Sequence, residues 1–529
     1  MLSPINILIA FLWLISATVD YANFCYIWQL KEYRWDRFKD FLSTVEGHNY
    51  FLRYKLLWRS VIAIIIFFWP FNNILTLKYL IVALFSVDLV DTIYNFITKR
   101  LGRPRLTKKA ILIIFLSLVL EGGLFLFKGD WITLLILLIV RFLILSVVVK
   151  LIKYPTMLVK KYYISKASKK IDLQQKHLTV IGVTGSYAKS TVKCFLSKVL
   201  SGKFKVLSTP KNINTEIGVA EFIINNPLDE IDILVVEMGA YKVGEIKEMA
   251  NMVKPQIGIL TAINTQHLSL FGSLENTQAA KYELLHSLPK TGLAIINADN
   301  PYCMEFLSEL NCRVKTFGLG EENKPNLLIY ETNTTDEGIR CLGKVDDILY
   351  ELEAPIPGEY NALNIAPVVL AALELGLSKE EIKAQVSKLK LPDGVLNIYK
   401  YGNCTIIDDS ANANPNGFKA VLDDVLHKMP SNKRRIVITR GMLELGEKSD
   451  EMHEKIGEEI SFVADELIII TKDFIEPLRR GVIDKYKLEI KIIFDRYQLL
   501  EYVKSLKDTE AVILLENRIP SVVYKEIKG

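Results

Sequence analysis

The stretch Leu178 to Gly202, LTVIGVTGSYAKSTVKCFLSKVLSG, constrains this chain more than any other. It opens with a β-branched apolar run, Thr179-Val180-Ile181-Gly182-Val183. A tight loop follows, Thr184-Gly185-Ser186-Tyr187-Ala188, and then an amphipathic pattern from Lys189 to the break at Gly202. Strand, loop and helix in that order form a phosphate cradle. Loop N–H groups and the helix N-terminus face the anion, a lysine reaches the terminal phosphates and a hydroxyl goes to magnesium. The cradle predicts nucleotide contacts from Gly185, Ser186, Ala188, Lys189, Ser190 and Thr191, with Ser190 as the Mg2+ hydroxyl. A strict phosphate loop has glycine where Val183 and Ala188 stand. Alanine is accommodated there at negative φ and costs about 1 kcal/mol at positive φ. The alternative is a strand-to-helix turn with an incidental lysine.

The residues before this cradle differ in kind. The chain has 529 residues, enough for three or four domains, and its mean hydropathy of +0.22 is high for a soluble protein. The excess sits almost entirely in residues 1–153, which are predicted to form a transmembrane bundle of about five α-helices. The spans fall near Pro4–Leu30, Leu56–Phe71, Ile74–Ile97, Ala110–Phe127 and Trp131–Leu151, with Tyr154-Pro155 ending the last. The first has no basic n-region and no small-residue cleavage site, so it reads as a retained helix. Basic loops alternate with nearly uncharged ones: Lys31, Arg34 and Arg37 after the first span, Arg100, Arg103 and Arg105 after the third, Lys160, Lys161 and Lys166 after the fifth. This alternation predicts a multi-pass protein of the cytoplasmic membrane, N-terminus outside and all after Leu151 in the cytoplasm.

Asp88, Asp91, Glu121 and Arg141 fall inside spans. At 1.5 Å per residue Glu121 and Arg141 both reach mid-bilayer and are able to pair across a helical hairpin. They read either as a structural ion pair or as a lipid-headgroup or proton site. Residues 154–176 form a basic juxtamembrane linker, either a helix on an anionic leaflet or a solvated one. The 6 cysteines show no CxxC or zinc spacing, which points to reduced thiols.

After Gly202 strands alternate with helices, predicting a largely parallel sheet over a central domain, 177–353. Ile231–Val236 ends in Glu237, a carboxylate at a strand's carboxyl edge beside the phosphate loop, where a magnesium ligand belongs. Ile257–Ile263 leads to His267, a helix from Glu275 to Leu288 carries Lys281, and Leu293–Asn297 is a further strand. Taken singly, His267 reads as a capping or core histidine and Lys281 as a surface lysine.

In order, TGSYAKST, TPKNINTEIG, EMGA, HLSLFGS, AKYELL and INADN resemble the ATPase core of the Mur ligases, closest to the branch that adds D-Ala-D-Ala to the peptidoglycan precursor. The resemblance covers Leu178 to Lys528 and implies two α/β domains: a phosphate-loop central domain and a Rossmann-like C-terminal domain, 354–529. It implies an ATP- and Mg2+-dependent amide ligase in which a substrate carboxylate takes the γ-phosphate and an amine then displaces it. On the matching positions, Lys189 grips the β/γ-phosphates. Ser190, Glu237 and His267 hold magnesium. Lys281 stands where the family carbamylates a lysine to hold a second metal. Asn212 and Asn214 approach the substrate carboxylate.

In PGEYNALN, Asn361 and Asn364 match adenine contacts, with Tyr360 in place of a histidine. Asp409 and Asn412, in DDSANANP, match nucleotide or amine contacts, though Asp, Asn and Pro also make turns on their own. The family arginine is Val395 here, its GDM turn is Arg440-Gly441-Met442, and its KGSR turn is Glu516-Asn517-Arg518. The family's UDP-sugar domain is replaced by the apolar N-terminal region. The expected partners are therefore ATP, a cell-wall precursor or lipid-linked carboxylate, an amine and membrane lipids, with no nucleic acid. The alternative is a nucleotide-binding, non-catalytic scaffold or regulator in a membrane complex.

Overall fold

The computed structural model describes residues 3–44, 47, 54–68, 74–98, 101–128, 131–210, 213–264, 268–335, 338–346, 348–392, 395–410, 414–430, 432–443, 445–483 and 487–528. The chain divides into two compact units, Met1–Lys160 and Lys161–Gly529.

The first unit is helical: α1 (Pro4–Leu30), α2 (Trp35–Ser43), α3 (Tyr54–Phe68), α4 (Ile74–Ile97), α5 (Lys108–Lys128) and the start of α6 (Trp131–Gln174). Four of these, α1, α4, α5 and α6, are long and apolar enough to cross a membrane. The expected second span, Leu56–Phe71, is described only as far as Phe68, within α3, a helix of 15 described residues. At Pro155, where the last span is expected to end, the helix itself does not stop: α6 continues through it. Proline removes one backbone donor from the helix, and in the same turn the Thr156 hydroxyl donates to Ile152 O (3.0 Å) and Lys153 O (2.8 Å).

Glu121 and Arg141 do pair, Nε to Oε1 at 3.1 Å, within a larger buried network. Arg141 Nη1 also reaches Asp20 (2.8 Å) and Ser16 Oγ (2.7 Å). Arg59 bonds Asp20 (2.7 Å) and, through Nε, Asp88 (3.0 Å). Ser16 donates to Asp88, while Tyr21 OH (2.6 Å) and Trp13 Nε1 (2.8 Å) donate to Glu121. The network joins α1, α3, α4, α5 and α6.

The second unit holds two sheets. Strands β1 (Thr179–Thr184), β2 (Val206–Ser208), β3 (Ile233–Glu237), β4 (Ile257–Leu260), β5 (Leu293–Asn297), β6 (Arg313–Gly318), β7 (Leu327–Thr335), β8 (Gly338–Val345) and β9 (Ile348–Ala354) form a sheet of order β2-β3-β1-β4-β5-β6-β7-β8-β9. It is parallel as far as β7, and β8 and β9 add antiparallel strands. Its parallel strands are apolar runs: β3 and β5 are buried throughout, as a sheet covered on both faces requires. Strand β8 instead alternates buried and more exposed residues.

Helix α7 (Lys189–Leu200) lies on one face. It shares that core with α10 (Asn361–Glu374) and α11 (Lys379–Val386). The expected boundary at 353/354 therefore precedes two helices that pack on the central sheet. Their apolar positions, among them Ile365, Val369, Ile382 and Val386, bury against Val192, Phe195 and Ile295.

The other face carries α8 (Glu245–Val253) and α9 (Leu274–His286). The end of α6 docks here too. Ala167 and Ile171 are buried in this core, and Lys170 Nζ donates to Ile224 O (3.1 Å) and Asn226 O (2.6 Å), a cation on the carbonyl end of the helix Glu216–Asn225. The basic and aromatic run predicted a leaflet-bound or solvated helix; an apolar stripe of Tyr163, Ile164, Ala167 and Ile171 is what docks it.

The second sheet has order β10-β11-β15-β12-β13-β14, from β10 (Asn397–Tyr401), β11 (Cys404–Asp409), β12 (Arg435–Thr439), β13 (Glu466–Ile469), β14 (Glu489–Ile492) and β15 (Val512–Glu516). Only the edge pair β10–β11 is antiparallel.

Candidate active site

Strands β1 and β3 are neighbours, with Val183 opposite Glu237, so the phosphate loop and the predicted carboxylate leave the sheet side by side. Gly185 is required where it stands. Its φ is +146°, and a Cβ would lie 2.0 Å from Thr261 Oγ1. Ala188 sits at φ +63°, the unfavourable branch of the sequence expectation. Helix α7 starts immediately after it, so Lys189 and Ser190 stand in its first turn.

Lys189 Nζ folds back on the loop, donating to Gly185 O (2.6 Å) and Ser186 O (3.0 Å). The Ser190 hydroxyl donates to Glu237 Oε2 (2.9 Å), and Asn214 Nδ2 donates to Oε1 (3.1 Å). Lys193, one turn beyond Lys189, is 2.9 Å from the same Oε2 and 5% exposed. Burial alone would raise the Glu237 pKa, but Lys193 and Lys189 outweigh it and hold it below the usual range. Lys193 is a site residue the motif reading missed. The available signal was its i+4 spacing from Lys189 on one helix face.

Lys281 is placed by α9, whose N-terminus is capped by Ser273 accepting from Asn276 N (3.2 Å). Its ammonium lies 5.6 Å from the Phe271 ring centroid. Burial, reinforced by the charge of Lys189, lowers its pKa well below the ordinary lysine value. Ser186, Lys189, Asn214 and Lys281 line one cleft of about 50 Å³ with Gly239, Ala240, Tyr241 and Phe271. An amine of depressed pKa and a phosphate-loop lysine thus face one cleft, and Asn214 in its wall holds the Glu237 carboxylate. Thr191 is buried in α7.

The remaining predicted residues lie elsewhere. Asn361 and Asn364 do not line the cleft. Asn361 is buried, donating to Pro357 O (2.7 Å) and accepting from Asn364 (2.8 Å) at the start of α10. Asp409 ends β11 and accepts from Leu396 N (3.1 Å). His267, Asn212 and Asn412 lie outside the described residues. The two domains meet at the cleft's rim, where Asn264 Nδ2, beyond β4, donates to Asn416 Oδ1 (3.0 Å) in α12 (Pro415–Val421).

The Mur ligase middle domain matches residues 183–372, and the Mur ligase glutamate ligase domain matches 396–516. The chain is a Mur ligase family member over these two domains. As a Mur ligase it is 29% identical over 290 residues to the UDP-N-acetylmuramoyl-tripeptide--D-alanyl-D-alanine ligase of Bacillus subtilis, covering 55% of this chain and 62% of that one. The Escherichia coli enzyme of the same name is 31% identical over 292 residues, covering 54% of this chain and 62% of that one. The chain thus spans less than two thirds of these Mur ligases. Among solved structures it is similar to MurF from Acinetobacter baumannii (TM-score 0.63, 23% identity, 70% of this chain and 81% of that one). It is similar also to MurF ligase from Thermotoga maritima in complex with ADP (TM-score 0.61, 24% identity, 70% and 84%). These share the Mur ligase fold.

Proposed function

We propose that this chain is a membrane-anchored, ATP-dependent amide ligase of the Mur type, joining a carboxylate substrate to an amine in the synthesis of a cell-wall precursor or related envelope polymer. The observation that carries the reading is the convergence of Lys189, Ser190, Lys193, Glu237 and Lys281 around one cleft at the end of β1 and β3. Lys189 and the loop N–H groups grip the terminal phosphates of ATP, and Asn214 orients the substrate carboxylate. A carboxylate oxygen attacks the γ-phosphorus, ADP leaves, and the amine nitrogen then displaces phosphate from the acyl phosphate. Relatives named UDP-N-acetylmuramoyl-tripeptide--D-alanyl-D-alanine ligase and a related structure holding ADP support this chemistry.

Magnesium fits the donor set. The Ser190 hydroxyl and Glu237 carboxylate are hard oxygen donors 2.9 Å apart beside a phosphate loop, and Mg2+ is held by one or two such groups plus phosphates and water. It would supply charge neutralisation at the transferring phosphoryl group. Lys281, held towards its neutral form, is chemically ready to take up CO2 as a carbamate. Membrane anchoring is supported by the four long apolar helices, and cytoplasmic placement of the ligase domains by the alternation of basic loops.

The test is phosphate release by the detergent-purified full-length protein with Mg-ATP. Three conditions are compared: no addition, UDP-muramoyl-peptide plus D-Ala-D-Ala, and a membrane lipid extract. Stimulation by either addition supports a ligase and names the source of its carboxylate. ATP binding without stimulation in any condition would replace the ligase with a nucleotide-binding scaffold.

A further inference from the structure

Glu237 ends β3 with both carboxylate oxygens engaged. Oε1 accepts from Asn214 Nδ2 (3.1 Å). Oε2 accepts from the Ser190 hydroxyl (2.9 Å) and lies 2.9 Å from the Lys193 ammonium. Both Glu237 and Lys193 are buried, so the ammonium answers a charge that would otherwise be desolvated without a counter-ion. The phosphate-loop lysine does not do this. Lys189 Nζ is turned onto Gly185 O (2.6 Å) and Ser186 O (3.0 Å). The cation against Glu237 is the lysine one helical turn further along α7.

Oε2 is also where a divalent cation would bind. The Mg2+ donors identified above are the Ser190 hydroxyl and the Glu237 carboxylate, and it is Oε2 that Ser190 touches. A hydroxyl both donates and accepts, so Ser190 is able to turn its proton away and present a lone pair. An ammonium has donors only. Lys193 therefore either stays beside an incoming metal, cation against cation at short range, or leaves its counter-ion and keeps the Pro210 carbonyl (3.3 Å). Each course opposes metal binding.

We propose that Lys193 stands in for the metal on Glu237 in the nucleotide-free protein, and so makes divalent-cation binding conditional on ATP. This rests on the ligase reading above and adds an order of loading to it. Free Mg2+ that reaches the site before nucleotide meets a carboxylate already neutralised by one lysine, with a second lysine at the loop. ATP reverses the balance. Its phosphates bring negative charge to the loop and oxygen ligands of the kind Mg2+ takes beside one or two protein groups. The way in is open. Asn214, on the other carboxylate oxygen, and Lys189 line the cleft, and Ser190 is partly exposed. Withdrawal of Lys193 requires only rotation of a flexible methylene stem. Lys193 acts through Glu237 and is a positioning residue. A lysine that merely pinned α7 to β3 would, on removal, lower stability and leave metal affinity unchanged.

The experiment titrates Mn2+, its free concentration read by electron paramagnetic resonance, into the detergent-solubilised full-length protein with and without a non-hydrolysable ATP analogue. Wild type, Lys193→Met, Lys193→Arg and Glu237→Gln are compared, and the binding that Glu237→Gln abolishes is counted as the site's. Affinity for the ATP analogue, measured separately, reports that each variant is folded. Without nucleotide, Lys193→Met should bind Mn2+ more tightly than wild type by about tenfold or more, and Lys193→Arg should match wild type. The enhancement of Mn2+ affinity by nucleotide should fall in Lys193→Met by a similar factor. Equal nucleotide-free affinities in wild type and Lys193→Met overturn the proposal and leave the ligase intact. So does wild-type Mn2+ binding at Glu237 that nucleotide does not strengthen, a result independent of any Lys193 variant's folding. Failure of wild type to bind the ATP analogue removes the ligase reading, and the order of loading with it.

Discussion

In the N-terminal helical unit Asp20, Asp88 and Glu121 each meet a guanidinium, whereas at the carboxyl end of β15, an interior strand of the six-stranded sheet, Glu516 meets none. Both regions bury carboxylates completely or nearly so. The first contains its own answer to the charge. Arg59 and Arg141 are shared among the three acids, hydroxyls and an indole fill the remaining sites, and five helices are joined as a result. The second has no internal answer. Paired burial is what a structural lock looks like, while unpaired burial leaves the desolvation of the carboxyl uncompensated. The phosphate-loop cleft lies between these extremes. Glu237 is paired with Lys193 and Ser190, while Lys281 is buried beside another lysine and pushed towards neutrality.

The contrast is broken most directly at Arg141. Arg141→Met leaves Glu121 and Asp20 buried with less opposing charge and should destabilise the protein by about 3–5 kcal/mol, read by thermal unfolding in detergent. A change under about 1 kcal/mol would mean that the network is not a lock.

At the intermediate site, Lys189→Ala should lower stimulated phosphate release by about a hundredfold or more while leaving the unfolding midpoint close to wild type. Full activity in this variant would remove the ligase reading. Lys193→Met takes away the principal charge that depresses the Glu237 pKa. That carboxylate is needed ionised, so activity is present above its folded pKa and lost as pH falls through it. The variant raises that pKa, and the acid limb of the phosphate-release profile should move to higher pH. An unmoved limb would separate Glu237 from the activity.

The smallest effect is expected at Glu516. Burial, and after it the like charges of Asp409 and Asp408, raise its folded pKa above the usual 4.5. The folded state therefore holds a proton that the unfolded state has released, and stability falls as pH rises from about 4.5 towards the folded pKa. The slope is at most about 1.4 kcal/mol per pH unit. Glu516→Gln should flatten this component in a series of unfolding curves between pH 5 and 8. An identical pH dependence in both proteins would mean that the carboxyl is not proton-linked.

What was legible in the sequence was what local pattern determines. The β-branched runs of β1, β3 and β5, the loop chemistry at Gly185 and Lys189, and the acid ending β3 all follow from residue order and period. Glu121 with Arg141 followed from helix arithmetic. Asp20 and Arg59 did not: their roles depend on which helices become neighbours, and neither stands out within its own segment. The passage of α6 through Pro155 was not legible, because a proline ordinarily signals a helix end. Helices α10 and α11 were given to the wrong sheet since an amphipathic face names no partner. At Glu516 the sequence marked a departure from the family turn, but only the register with Asp409 reveals that the carboxyl is left alone.

Ala188 bears on the chain before it folds. At φ +63° its methyl group costs the native loop about 1 kcal/mol relative to glycine. The same methyl group removes backbone states from the unfolded ensemble, by an amount worth about 0.4–1 kcal/mol in the opposite sense. The strain is the larger of the two. The chain gives up some native stability at this position, and in exchange it has a phosphate-gripping segment with fewer conformations to search than a glycine loop would have.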